Sequence, residues 1–98
     1  ATDNATGTIV MLEAMRILKA IGYQPKRTIL AGHWGGEEQG LNGSRAFVKD
    51  NPAIVAKLHA LFNQDNGTGR IVGMSASGFT GADTVLRRYL GQLPSDFT

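Results

Sequence analysis

The chain has 98 residues, 42% of them apolar and 18% charged, with ten Lys and Arg against eight Asp and Glu, a formal net charge of +2 and no cysteine. That length predicts a single domain over residues 1–98 with a real core and no room for a second. The charges form no polybasic run, so nothing points to nucleic acid as a partner. The lack of cysteine excludes disulfides, thiol catalysis and Cys-type zinc sites, and no apolar run reaches membrane-spanning length. The opening "ATDNATG", without an initiating Met, reads as the middle of a longer chain, which predicts a fragment of a larger protein.

The predicted elements alternate helix and strand. Over residues 6–21, Val10, Met11, Ala14, Met15, Leu18 and Ile21 recur at three- and four-residue steps, an amphipathic helix stopped by Gly22. After the turn "YQPKR", "TILAGHW" over residues 28–34 reads as a short buried strand closed by Gly35 and Gly36. Ser44 is placed to cap a short helix over residues 45–49 that ends before Pro52. The run "AIVAKLHALF" divides into a helical turn over residues 52–56 and a strand over residues 57–63. "RIVGMSAS", residues 70–77, reads as another strand, and residues 81–93 as a last helix ended by Pro94. Strands separated by helices predict an α/β fold, a mixed, mostly parallel sheet between two helical layers.

In such sheets functional groups gather beyond the carboxyl ends of the strands. Glu37 and Glu38 follow one predicted strand, Asp65 in "FNQDNGTG" follows the next, and Asp3 precedes the first helix. Carboxylates brought together repel unless a cation or protons offset them, so convergence of these side chains points to a metal site. In a regular strand, adjacent residues face opposite ways. Glycines at 35, 36 and 40 lift that restriction, so that Glu38 can face a metal while Glu37 serves as a base for an attacking water.

Taken singly, each residue has a plainer reading. Asp3 alone is a helix N-cap, Glu37 and Glu38 a solvated loop, and Asp65 a turn residue. His33 and His59 read as packed strand residues. "GTGRIVG" has the wrong spacing for a phosphate loop and precedes a strand. "GMSASG" misses a serine elbow because Ser77 stands where glycine is required. "NAT", "NGS" and "NGT" match the glycosylation acceptor pattern at Asn4, Asn42 and Asn66, triplets that arise readily by chance in such loops.

Taken in order, "ATDNATGTIVMLEAMRIL", "RTILAGHWGGEEQGLNGSRAFV" and "FNQDNGTG" resemble the middle of the catalytic domain of zinc-dependent exopeptidases with two co-catalytic zinc ions, the family of bacterial secreted aminopeptidases and carboxypeptidase Q. The similarity covers roughly the first seventy residues. Residues 70–98 are most similar to the carboxypeptidase Q branch. The resemblance implies an incomplete version of that family's helix-sheet-helix fold. It also implies hydrolysis of a peptide substrate, with Asp3 bridging two zinc ions, Glu38 binding one, Asp65 the other, and Glu37 as general base.

The family also supplies one histidine ligand before the position of Asp3 and another well after Asp65, and neither His33 nor His59 matches those places by order. Three of five expected ligands are present, which predicts weak zinc binding and no peptidase activity for this chain alone. The resemblance implies a secreted or periplasmic location, and missing strands would leave sheet edges open to homo-oligomerisation. The alternatives are a non-catalytic peptidase-like scaffold, which retention of all four acids argues against, and a single-zinc acyl-transferring or cyclising enzyme of the same fold, inert toward peptides.

Overall fold

A computed structural model describes residues 2–65 and 67–97, with the side chain of residue 97 left aside. Asn66, the acceptor of the third glycosylation triplet, therefore lies outside the described residues. The chain divides into two units, Ala1–Thr68 and Gly69–Thr98.

In the first unit, α1 spans Thr2–Ala20. Its backbone is not helical at Asp3 (φ −102°, ψ 100°) or Asn4 (φ −126°, ψ 46°), so the regular helix begins after them. The cap is Asn4, not Asp3: the Gly7 amide donates to Asn4 Oδ1 at 3.1 Å, the bond an N-cap side chain makes three residues into a helix. At the other end Gly22, at φ 67°, provides the predicted stop. The Gly22 amide donates to Lys19 O at 3.1 Å and the Tyr23 amide to Leu18 O at 3.0 Å, which satisfies carbonyls the last turn would otherwise leave open.

Helix α2 spans Asn42–Asp50 and α3 Pro52–Ala56. The two lie against one another across Asn51. Ser44 does not cap α2, because the helix starts earlier, after Leu41 in a left-handed conformation (φ 59°), and the Ser44 hydroxyl donates back to Leu41 O at 3.2 Å. Proline at the start of α3 matches the predicted turn over residues 52–56.

In the second unit, α4 spans Ala82–Leu90, shorter than the predicted helix, and single turns carry the chain on to Leu93. A 3₁₀ turn follows at Ser95–Phe97. Arg70 Nη2 donates to the carbonyl of Asp96.

The predicted α/β architecture is corrected here. Among the described residues there is no β-strand, so no helix-sheet-helix layering is present. The segments at 28–34, 57–63 and 70–77 are irregular. A strand exists only where a neighbour lies within backbone hydrogen-bonding distance, and no backbone bond among the described residues joins the first two of these segments. Arg27, just before the first, reaches the start of the second, its Nη2 donating to Lys57 O at 2.7 Å. The sheet edges invoked for oligomerisation are likewise absent among the described residues.

Among the described residues the predicted core is absent for the same reason. No hydrophobic residue among those described is buried, and Ile9 (64% exposed) and Val72 (95%) lie open to solvent. An amphipathic helix buries its apolar face only against another layer, and the layer expected here was the sheet. His33 and His59, expected as packed strand residues, are exposed.

Candidate functional site

The stretch "GGEEQGLNG" closes on itself. The Gly43 amide donates to Gly35 O at 2.8 Å and the Asn42 amide to Gly36 O at 3.1 Å. At the tip, the amides of Gly40 and Leu41 both donate to Glu37 O, at 3.0 and 2.9 Å. The fold-back depends on glycine at two kinds of place. Gly36 and Gly40 take left-handed angles (φ 65° and 113°) that side chains rarely adopt. At Gly43 a Cβ would stand 2.6 Å from the Gly35 carbonyl oxygen, closer than atoms tolerate. Before the loop, the Trp34 ring tilts against Phe47 of α2 with centroids 5.1 Å apart, which ties the entry of the loop to the helix that follows it.

The loop carries Glu37 and Glu38 at its exposed tip. Asp3 sits in the non-helical start of α1 and Asp65 in the irregular segment after Gln64, both exposed. Their charges act on one another at Glu37. The Glu37 carboxyl is held above its ordinary value first by the charge of Glu38, then by partial desolvation, the charge of Asp65, a hydrogen bond with Glu38 and the charge of Asp3. Carboxylates from three separate stretches thus act on one side chain. His33 and His59 are not among the groups that act on it.

The fit of this set to a metal has two sides. Mutually repelling carboxylates have the charge and the hard oxygen donors that a divalent cation requires. Their positions leave the ligand sphere open, since among the described residues no three His, Asp or Glu side chains meet in a group that would hold an ion. One groove, about 480 Å³, is lined by Met15, Tyr23, Lys26 and Ile29 among others and by none of these acids.

Two features were not singled out from the sequence. Asn4 Nδ2 donates to Gln64 O at 2.9 Å, joining the start of α1 to the residue before Asp65. Gly7 is the buried residue beneath that bond. The signal was present in "DNATG", where Asn stands three residues before Gly at a helix start, the spacing of a cap and its amide.

Comparison with known proteins gives the family. The profile of Peptidase family M28 matches residues 1–97. Carboxypeptidase Q of Mus musculus is 28% identical over 93 residues, 95% of this chain and 20% of that protein. Leupeptin-inactivating enzyme 1 of Streptomyces exfoliatus is 38% identical over 64 residues, 64% of this chain and 15% of that protein. A probable leucine aminopeptidase of Trichophyton verrucosum is 44% identical over 69 residues, 66% of this chain and 18% of that protein. The chain spans a fifth or less of the length of these relatives. No solved structure matches it. With its profile matched across nearly all of its residues, the chain belongs to Peptidase family M28.

Proposed function

We propose that this chain carries the acidic part of a two-zinc exopeptidase site. Asp3, Glu38 and Asp65 would hold the zinc, and Glu37 is the general base. What supports the reading is membership of Peptidase family M28, together with the charges of Glu38, Asp65 and Asp3, each of which acts on Glu37. Family membership supports a peptide as the substrate, and the resemblance to exported peptidases supports a location outside the cytoplasm.

The chemistry zinc supplies when bound is Lewis acidity toward the scissile carbonyl and the attacking water. The chain's own part is proton handling. Glu37 takes a proton from the attacking water and returns it to the leaving amine. In the metal-free chain, negative neighbours hold its carboxyl above the ordinary value, which makes the carboxylate a stronger base toward water. The glycine-rich loop frees two adjacent glutamates from the opposite facing that a regular strand would impose.

Carboxylates alone are weaker zinc ligands than a set containing histidine. The 98-residue chain by itself therefore binds zinc weakly and does not turn over peptide. Calorimetric titration with zinc, with metal content checked by elemental analysis, tests the reading. Saturable binding weakened in Glu38→Ala is the expected result; binding identical in Glu38→Ala and the parent chain would overturn it.

A further inference from the structure

We propose that Asn4 is a positioning residue, which holds the Asp65 segment against the Asp3 segment by bridging the start of α1 to Gln64. The inference rests on the zinc reading for its consequence and on the geometry around Gly7 for its substance.

Asn4 uses both ends of its amide. Oδ1 accepts the Gly7 amide at 3.1 Å, while Nδ2 donates to the Gln64 carbonyl at 2.9 Å, a contact across 60 positions of sequence. The residues that flank these two groups are Asp3 and Asp65, so one side chain fixes the spacing of two proposed ligands. Thr6 adds less. Its hydroxyl lies 3.2 Å from Gly67 O and 2.8 Å from Thr2 O, and with a single proton it serves one carbonyl at a time.

The surroundings show that this seam is built. Gly7 is buried in a chain with no buried hydrophobic residue among those described, and Asn4, Thr6 and Gln64 beside it are half-buried. A Cβ on Gly7 would stand 2.5 Å from Asn4 Nδ2 and 2.7 Å from Gln64 O, inside the hydrogen bond itself. Glycine there leaves the space through which Asn4 reaches Gln64. An N-cap alone makes no such demand, since serine or aspartate would serve it.

The test separates capping from positioning. Asn4→Ser keeps an N-cap oxygen but is too short to reach Gln64, Asn4→Ala removes both functions, and Gly7→Ala raises helix propensity while wedging the seam open. Two quantities are read on the 98-residue chain: the Gln64 carbonyl carbon resonance without metal, which reports the hydrogen bond it accepts, and the zinc affinity. Positioning predicts that all three variants shift the Gln64 resonance and lose roughly 10–100-fold in zinc affinity, the range for an outer-shell partner. An Asn4→Ser chain with the parent's Gln64 resonance and zinc affinity would overturn the proposal and leave Asn4 a cap. If the parent bound no zinc while Asn4→Ser still moved the Gln64 resonance, the bridge would stand and the zinc reading would fall.

Discussion

The amide of Gly43 meets the carbonyl of Gly35 at 2.8 Å, and this bond closes the loop that presents Glu37 and Glu38. Because a Cβ on Gly43 would come within 2.6 Å of that carbonyl oxygen, Gly43→Ala must open the loop. The expected outcome is a zinc affinity lower by about tenfold, the scale on which supporting contacts act. Isothermal titration measures it, and a parent-like affinity would show that the closure does not set the positions of the acids.

Glu37 and Glu38 are adjacent but should part company under mutation. Glu37→Gln keeps the size of the side chain and removes the base, so zinc affinity should stay within about twofold, since a base off the metal adds no donor. Glu38→Ala and Asp65→Ala each remove a proposed donor, and each should cost more than the roughly 10–100-fold of an outer-shell loss. Equal losses in Glu37→Gln and Glu38→Ala would contradict the division of roles.

The pH behaviour of the metal-free chain follows from the same cluster. Glu37 is held above its ordinary value chiefly by Glu38, so Glu38→Gln should lower the Glu37 midpoint. A carboxyl whose folded value lies above its unfolded value binds its proton more tightly when folded. The closed loop is therefore least favoured above the raised folded value, where the acids repel as anions. It gains as pH falls through that value, with the full gain reached below the unfolded value. Carboxyl carbon NMR titration of the two chains checks both statements, and an unchanged midpoint in Glu38→Gln would place the two side chains apart.

Trp34 is the one tryptophan of the chain, so its fluorescence reports a single place. Its ring rests against Phe47 with centroids 5.1 Å apart. Phe47→Ala should shift the emission toward longer wavelength and loosen the loop entry, a pair contact being worth about 0.5–1.5 kcal/mol. Emission unchanged by that substitution would mean that the two rings do not meet in solution.

The helices were legible because their signals are local. A stripe at three- and four-residue steps marked α1, Gly22 marked its end, and Pro52 opened α3. Ser44 misled, since its residue type suits a cap, whereas the backbone turns into α2 through Leu41 and the serine bonds backward. The strands misled for a deeper reason. Apolar runs such as "TILAGHW" record a preference for burial, and a preference becomes a strand only when a neighbour supplies its hydrogen bonds. No such neighbour lies beside them among the described residues.

The sequence by itself determined the residue chemistry: four carboxylates, a glycine-rich loop able to place two of them together, helix punctuation, and motifs in an order specific enough to indicate the family. Only the tertiary structure decided which groups meet and by what means. Asn4 rather than Asp3 caps α1, which leaves the Asp3 carboxylate out of the cap, and the same Asn4 reaches Gln64 beside Asp65. That contact spans 60 positions. Local preference carries no information about such a distant partner; it arises where the absence of a side chain at Gly7 lets two backbone segments approach.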